Sequence, residues 1–188
     1  MQEACAAVPS GMIAIVGATP AQLDELCAKT GCTVANINSA AQQVLSGSKD
    51  AIAAAATVAK ELGIKRAIPL ATAGAFHSPF MQPAREKLAA VLEGITFGAP
   101  NIPVLSNVTG KPHSSDPAAI KAAMLEQVTG TTNWAADVEA AKGLGCTRFV
   151  EFGPGKVLSG LVKKIDATLA AVNVSDIASL DAAVAALA

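Results

Sequence analysis

The order of strand and helix patterns in residues 11–76 constrains the fold of this chain more than any other feature. Short apolar or β-branched runs predict strands at 12–17, 32–39, 42–47 and 65–73. One amphipathic helical stretch follows the first of these runs, and another follows the third. The resulting β-α-β-β-α-β order is that of the ferredoxin-like, split βαβ arrangement.

Residues at the ends of these elements support the assignment. Thr19 followed by Pro20 predicts the start of the first helix, and Gly31 predicts its end. Ser48 is placed to cap the second helix. Pro69 lies in the last strand, where a missing backbone donor argues for an edge position or a bulge.

The remainder of the chain has a different order of predicted helices and strands. Helices are predicted near 79–92, 117–129, 133–143, 156–165 and 176–187, and strands at 102–110, 147–152 and 170–175. Strands that alternate with helices imply a parallel sheet, and the apolar run at 147–152 predicts a buried strand. A sheet of only three strands would have an unpaired edge, so the sheet is either small or the second half of a larger sheet.

Composition excludes several classes of function. Hydrophobic residues make up 52% of the 188 residues, yet no apolar run approaches the roughly 18–20 residues of a membrane helix. The net charge of −1, without a basic block, argues against nucleic acid or an anionic membrane surface as partner. Aromatic residues make up only 3% of the chain, which argues against a protein that recognises bases or sugars mainly by stacking.

The cysteines indicate a reducing compartment. Cys5, Cys27, Cys32 and Cys146 form no pattern with zinc-ligand spacing, so no metal site is expected. Four reduced thiols are typical of a cytoplasmic protein. The first residues contain neither a basic region nor a long apolar run, so they do not resemble a secretory signal.

His77 is the main candidate for chemistry. It lies just before Ser78 and Pro79, which suit the N-cap and first turn of a helix. The positive end of the helix dipole favours a neutral imidazole there, which can act as a general base. The alternative is a histidine that only packs or hydrogen-bonds at a strand end. No serine lies in a G-x-S-x-G elbow, so this base has no visible nucleophile.

Two further motifs are weaker. His113 lies beside Ser114, Ser115 and Asp116, but adjacent loop residues rarely converge on one reacting atom, and a solvated loop is the default. The GPGK stretch at 153–156 resembles a phosphate-binding turn at a helix start. It lacks the spacing of a P-loop, so a tight turn is the simpler interpretation.

Polar residues surround the turn between the second and third predicted strands. Asn36, Asn38, Ser39 and Gln42 could line a cleft there. Turn bonding of the Asx type explains the same residues equally well. Both interpretations stay open from the residues alone.

Several stretches together resemble one family. They are "MQEA" (1–4), "NINSAAQQVLSG" (36–47), "AFHSPFM" (75–81), "PVLSNVTG" (103–110), "EQVTGTTNW" (126–134) and "EFGPGKVLSGL" (151–161). In this order they resemble the C-terminal part of the malonyl-CoA:acyl carrier protein transacylases. They are similar also to the acyltransferase domains of polyketide synthases.

The resemblance implies an α/β fold in two parts. A ferredoxin-like small subdomain, residues 11–76, would be inserted into an α/β-hydrolase-like large subdomain. Residues 1–10 would be a connecting segment, and residues 77–188 the C-terminal portion of the large subdomain. The β-α-β-β-α-β pattern agrees with the small subdomain. The predicted sheet with an unpaired edge in the rest of the chain agrees with part of the large subdomain.

The resemblance also implies ping-pong acyl transfer. A serine would take malonyl from coenzyme A and pass it to the pantetheine thiol of acyl carrier protein, with no cofactor beyond these substrates. His77 matches the catalytic base, and Gln127 matches the residue whose backbone carbonyl orients it. Candidate substrate-binding residues are Asn36, Asn38, Gln42 and Phe76.

The departures from the family leave three interpretations. The family's Gly-His-Ser-x-Gly nucleophile, its malonyl-binding arginine and its N-terminal glutamine would lie upstream of Met1. The chain is therefore expected to be a fragment that is inactive alone. Alternatively, a partner chain supplies the serine half and docks at the sheet edge. A third possibility is a non-catalytic module for acyl carrier protein, with basic residues at Lys60, Lys65, Arg66, Lys163 and Lys164.

Overall fold

The structure is a computed structural model that describes residues 1–187. Its contacts divide the chain into two compact units, Met1–Asp137 and the part from Val138 onward. The predicted boundary after residue 76, which rests on the resemblance, stays a prediction. Among the described residues, no helix is long and apolar enough to cross a membrane.

The elements of the first unit follow in chain order. They are α1 (Gln2–Ala7), β1 (Ser10–Val16), α2 (Pro20–Thr30), β2 (Thr33–Ser39), β3 (Gln42–Ser48), α3 (Lys49–Glu61), β4 (Arg66–Leu70), a 3₁₀ helix (Pro79–Met81), α4 (Gln82–Glu93), β5 (Leu105–Ser106), β6 (Lys111–Pro112) and α5 (Pro117–Thr129). Helix α6 (Trp134–Gly143) spans the boundary. The second unit contains β7 (Arg148–Phe152), α7 (Val157–Ile165), β8 (Ala170–Val174) and α8 (Ile177–Leu187).

A four-stranded antiparallel sheet organises the first unit. Its strand order is β2-β3-β1-β4, and Ile13 of β1 lies between Leu45 of β3 and Pro69 of β4. The predicted β-α-β-β-α-β order is confirmed. Strand β4 is an edge strand, as Pro69 predicted, because proline cannot donate to a second neighbour.

One face of this sheet carries the core. Ile13, Ile15 and Leu45 alternate with residues of the opposite face, and each is fully buried against α2 and α3. Leu26 of α2 and Ala55 of α3 complete the contact. Burial of this apolar surface is the main source of stability for the unit.

The predicted helix ends are found. The Thr19 hydroxyl accepts a hydrogen bond from the Gln22 backbone amide, and the Gln22 side-chain oxygen accepts one from the Thr19 backbone amide, which completes a capping box. Gly31 ends α2 in the left-handed conformation that glycine tolerates. Ser48 caps α3 by accepting from the Ala51 amide at 3.1 Å.

The opposite face of the sheet holds the segment that leads to His77. Met12, Ala14 and Val44 pack there with Phe76. The Ser46 hydroxyl on β3 donates to the Phe76 carbonyl at 2.5 Å. The sheet therefore fixes the backbone immediately before His77.

Residues 102–110 were predicted to form a strand that runs into a turn. The strand is shorter than expected, since only Leu105–Ser106 pairs, with Lys111–Pro112. The turn is present, because the amides of Thr109 and Gly110 both donate to the Ser106 carbonyl. That turn ends the strand at Ser106.

The second unit contains a two-stranded parallel sheet. Strands β7 and β8 pair in register from Arg148 with Ala170 to Phe152 with Val174. The prediction of a buried strand at 147–152 was wrong, since the Phe152 side chain is 77% exposed. Parallel strands become buried when neighbouring strands and helices cover both faces, and the described part of this unit supplies no third strand.

Candidate active site

His77 has an unusual backbone conformation. Its φ of 54° lies in the left-handed region, and it is the only non-glycine residue with positive φ among residues 1–187. Such a conformation costs on the order of 1–3 kcal/mol and persists only where the surroundings enforce it. The enforcing contacts come from Ser78, whose hydroxyl donates to the Ala75 carbonyl at 2.6 Å and accepts from the Phe80 amide. Sequence patterns alone do not predict this strain.

The imidazole of His77 contacts two residues that lie far along the chain. Its Nδ1 is 3.0 Å from the backbone carbonyl oxygen of Gln127, and its Nε2 is 3.4 Å from the hydroxyl of Thr132. Gln127 lies in the last turn of α5, where carbonyls have no partner within the helix. The structure thus brings together the two residues that the sequence singled out as base and orienter. Their roles stay a proposal.

Sequence reasoning missed Thr132. Its hydroxyl also accepts a hydrogen bond from the side-chain amide of Gln127 at 3.0 Å. Nothing in the sequence marks this threonine above its neighbour Thr131. Its position five residues after Gln127, just past a predicted helix, was the available signal.

The segment that carries Thr132 is attached to the sheet. The Thr132 amide donates to the Ala35 carbonyl at 2.8 Å, and the Ile37 amide donates to the Thr132 carbonyl at 2.8 Å. Together these bonds form a parallel bridge beside Asn36. The Thr131 hydroxyl adds a bond to the Val34 carbonyl at 2.7 Å. Strand β2 therefore fixes the backbone position of Thr132, and with it the distance from the Thr132 hydroxyl to the His77 imidazole.

Among the described residues, no hydrogen bond joins the side chains of the four candidate substrate-binding residues to the His77 imidazole. Asn36 reaches it only through the backbone bridge, and Phe76 packs into the sheet face. Asn38 and Gln42 are half-buried beside the hairpin turn. That turn is held by Gln43, whose amide donates to the carbonyls of Ser39 and Ala40. Substrate binding by Asn36, Asn38, Gln42 and Phe76 stays a prediction.

A cleft of about 810 Å³ lies beside the same segment. Its lining includes Leu23 of α2, Ile37 of β2 and Thr131, and it is mainly apolar. His77 is not among the lining residues. The cleft therefore adds nothing to the argument for chemistry at His77.

The loop containing His113 supplies no triad. The Asp116 carboxylate caps α5 by accepting from the Ala118 amide at 3.0 Å. The Ser114 hydroxyl accepts from the Asp116 amide at 3.2 Å. Both side chains are used locally, as the default interpretation of this loop predicted.

The first turn of α7, which follows the GPGK turn, is capped by a carboxylate of the chain itself. Glu151 accepts hydrogen bonds from the amides of Leu158 and Ser159 at the start of α7 and from the Ser159 hydroxyl. Burial raises the pKa of Glu151, but the hydrogen bonds from Ser159 and Leu158 outweigh it and leave the pKa below its ordinary value. These amides are the donors that a phosphate would need, which favours the tight-turn interpretation.

Cys27 and Cys32 are not activated nucleophiles. All four cysteines are free thiols. Burial raises the pKa of Cys27 to about 11 and also raises that of Cys32, so both stay protonated at neutral pH. Within residues 1–187, no group of three or more His, Cys, Asp or Glu side chains is arranged to hold a metal ion.

Asp137 is a buried carboxyl without a hydrogen-bond partner. Only 4% of the residue is exposed, and neither side-chain oxygen is paired in the described structure. Burial raises its pKa from the ordinary 3.8 to about 6. It follows Trp134 by one turn of α6, and the indole N–H of Trp134 is also buried and unpaired.

Known proteins resemble this chain over nearly its whole length. It is 39% identical over 187 residues to the malonyl CoA-acyl carrier protein transacylase of Salmonella typhimurium, an alignment that covers 97% of this chain and 60% of that protein. The crystal structure of the malonyl CoA-acyl carrier protein transacylase from Clostridium perfringens matches with a TM-score of 0.92 and 38% identity. That match covers 100% of this chain and 60% of the other. No family model matches the chain.

A third match is a complex. It is described as a type II PKS acyl-carrier protein with its malonyl-transacylase, and it matches with a TM-score of 0.89 and 38% identity over 98% of this chain and 61% of the other. The resemblance inferred from sequence motifs is confirmed by these similarities, as is the α/β fold class. This chain spans about 60% of the length of the relatives it matches.

Proposed function

We propose that this chain, a homologue of the malonyl CoA-acyl carrier protein transacylases over 97% of its length, carries the histidine side of an acyl-transfer site. The observation that carries the proposal is the contact of His77 Nδ1 with the Gln127 carbonyl at 3.0 Å. A carbonyl oxygen can only accept, so this contact favours the tautomer with the proton on Nδ1 and a lone pair on Nε2. That lone pair is what a general base needs.

In the proposed reaction His77 moves one proton in each half. Nε2 takes the proton of a serine hydroxyl as its oxygen attacks the malonyl thioester, and returns it to the leaving sulfur of coenzyme A. In the second half Nε2 takes the proton of the carrier-protein thiol as its sulfur attacks the malonyl-serine ester. The serine oxygen leaves and recovers that proton.

The serine is proposed to come from a segment outside these 188 residues. None of the serines in the sequence has glycine two residues away on both sides, as an elbow requires. The relatives are longer than the aligned region, since this chain covers 60% of the Salmonella typhimurium protein. The lone chain is therefore expected to be inactive. The missing segment could be joined to it or be a separate chain.

The second unit has surface that such a segment would cover. Phe152 of β7, Val157 at the start of α7 and Ile177 of α8 are 77%, 70% and 79% exposed. Large apolar side chains grouped on one small unit favour an interaction surface. Strand β7 also has an edge that is unpaired within the described residues.

Acyl carrier protein is the proposed acceptor. The solved complex of a similar malonyl-transacylase with a type II PKS acyl-carrier protein supports this partner. Lys60, Arg66 and Lys164 are exposed and are candidates for contact with an acidic carrier. Fatty-acid synthesis is the proposed setting, with a polyketide acyltransferase as the alternative. The four free thiols support a cytoplasmic location.

The test uses malonyl transfer from malonyl-CoA to pantetheinylated acyl carrier protein, read by mass spectrometry of the carrier. We expect no transfer by the lone chain. Joining the part of the Salmonella typhimurium relative that this chain does not cover is expected to restore transfer. In that restored enzyme, His77→Ala is expected to lower the rate by at least about 100-fold, the usual contribution of a general base.

His113→Ala is the matched control, because His113 is the other of the two histidines and lies in the loop before α5. It is expected to leave the rate unchanged. Equal rates for His77→Ala and the parent would overturn the proposal. Carrier binding without transfer in the joined protein would favour the non-catalytic module instead. Transfer by the lone chain would overturn the missing-serine interpretation.

A further inference from the structure

We propose that Thr132 is a positioning residue that selects the Nδ1–H tautomer of His77. The proposal rests on three contacts among His77, Gln127 and Thr132. Its catalytic consequence rests on the proposed function, because only a base needs the lone pair on Nε2. Its structural content does not, since the tautomer is a property of the chain by itself.

The three residues form a closed circuit of hydrogen bonds. His77 Nδ1–H donates to the Gln127 carbonyl at 3.0 Å. The side-chain amide of Gln127 donates to the Thr132 hydroxyl oxygen at 3.0 Å. The Thr132 hydroxyl proton then points to His77 Nε2, 3.4 Å away. Each of these three donors meets an acceptor.

The other tautomer breaks this circuit. If Nε2 carried the proton, the imidazole would donate to Thr132, and the Thr132 hydroxyl proton would lose its acceptor. The Gln127 carbonyl would lose its donor on Nδ1. The amide nitrogen of Gln127, 3.2 Å from Nδ1, would then be the only donor available to that ring nitrogen. A carbonyl and a hydroxyl proton left unpaired in a half-buried site are costly.

Thr132 therefore decides where the Gln127 amide donates. While the hydroxyl oxygen accepts one of the two N–H groups of this amide, that N–H does not compete for Nδ1, although the amide nitrogen lies 3.2 Å from this ring nitrogen. Without the hydroxyl, the amide has Nδ1 as its nearest acceptor, and that contact favours the proton on Nε2. The residue acts through its neighbour and has no need to touch a substrate.

The position of the hydroxyl is well defined. Thr132 is 9% exposed, and its backbone is bonded on both sides to β2. A hydroxyl on a rigid strand segment keeps its distance to the imidazole better than one on a free loop. The contact at 3.4 Å is long for a hydrogen bond, so a hydroxyl or thiol that approaches Nε2 more closely can replace it.

The experiment measures the tautomer directly by long-range ¹⁵N–¹H NMR of the histidine rings in the full chain. The sample is held at a pH of about 9, well above the ordinary histidine pKa of about 6.5, so that the rings are neutral. The chain has two histidines, and the spectrum of His113→Gln assigns the signals. We expect the Nδ1–H form to dominate for His77.

Thr132→Val keeps the shape of the side chain and removes the hydroxyl. We expect the ratio of Nδ1–H to Nε2–H to fall by about fivefold, the population change that corresponds to one ordinary hydrogen bond. Thr132→Ser is expected to keep the original ratio. Thr131→Val is the matched control, because it removes a hydroxyl bond from the same segment without a contact to His77.

A double variant tests the route through Gln127. Gln127→Leu removes the side-chain amide and keeps the backbone carbonyl. Combined with Thr132→Val, it is expected to restore the Nδ1–H form, because no amide then competes for Nδ1. This arm does not depend on acyl transfer, so it separates failure of the tautomer proposal from failure of the proposed function.

An unchanged tautomer ratio in Thr132→Val, or an equal change in Thr131→Val, would overturn the proposal. So would a double variant that keeps the Nε2–H form. Far-UV circular dichroism identifies a variant that does not fold, and in that case Thr132→Ala takes the place of Thr132→Val. In the joined enzyme, Thr132→Val is expected to lower kcat with little change in KM for malonyl-CoA.

Discussion

The sheet of the first unit and the sheet of the second differ in how far the apolar side chains around them are covered, although the first unit also exposes Ile102 and the second also buries Val162. In the first unit Ile13 and Leu45 are completely buried between the four-stranded sheet and its two helices. In the second unit Phe152, Val157 and Ile177 are more than two-thirds exposed, at 77%, 70% and 79%.

The difference follows from sheet type. An antiparallel sheet of four strands is complete with helices on one face and a packed segment on the other. A parallel sheet is usually enclosed by helices on both faces and by further strands, and two strands alone are marginal. The first unit is therefore expected to hold its own fold, and the second to depend on added surface.

The largest predicted effect comes from a comparison of the same leucine-to-alanine substitution in each of the two units. Leu45→Ala is expected to lower the free energy of unfolding of the first unit by about 3 kcal/mol, because it opens a cavity in a closed core. Leu180→Ala in α8, where the leucine is 44% exposed, is expected to cost less than about 0.5 kcal/mol. Urea unfolding of both variants measures these values. Equal losses would remove the contrast.

The second prediction concerns the free-energy cost of ionising the buried Asp137 carboxyl in the first unit. Burial raises the pKa of Asp137 from 3.8 to about 6, so the folded chain binds this proton more tightly than the unfolded chain. The contribution of this group to stability is therefore most favourable below about pH 4, falls as the pH rises, and reaches its lowest value above about pH 6. Asp137→Asn is expected to raise the free energy of unfolding at neutral pH by about 2 kcal/mol.

The measurement for Asp137 is urea unfolding at several pH values between about 4 and 8, the range that spans the shift. The parent and Asp137→Asn are expected to converge in acid and diverge toward neutral pH. Asp116→Asn is a suitable control, since Asp116 is an exposed helix cap. Parallel curves for the parent and Asp137→Asn would contradict the prediction.

The smallest predicted effect lies in the second unit. Glu151→Ala removes the carboxylate that caps α7 and is expected to cost about 1 kcal/mol at neutral pH. The loss is expected to shrink in acid, because the pKa of Glu151 is held below its ordinary value and its stabilising effect fades as the pH falls through that lowered value. Hydrogen exchange of the α7 amides measures it. Glu139→Ala, at an exposed ion pair with Lys142, serves as control and is expected to change little.

Local chemistry made much of the fold predictable from the sequence. Thr19, Gly31 and Ser48 act within one helical turn, so their roles depend on few other residues. The edge position of Pro69 follows from its missing donor, whatever the rest of the sheet does. These predictions needed no tertiary information.

The failures needed information from far along the chain. The strand at 147–152 has an apolar run, but its burial depends on what covers it, and Phe152 is uncovered in the described structure. His77 was found from its place before a helix, and Gln127 from the family resemblance. Thr132 reaches the imidazole because β2 holds its backbone, and no local pattern encodes that pairing. The left-handed backbone of His77 is likewise imposed by tertiary contacts.

The pairing of β1 with β4 has one further consequence. Met12 lies directly opposite Leu70, so the chain leaves the four-stranded sheet beside the point where it entered. A segment whose two ends lie side by side can be lengthened or exchanged without moving the chain on either side of it. A graft of this segment between homologues would have to keep the contacts that the sheet makes with the rest of the unit, which include the bridge between β2 and Thr132 and the bond of Ser46 to the Phe76 carbonyl.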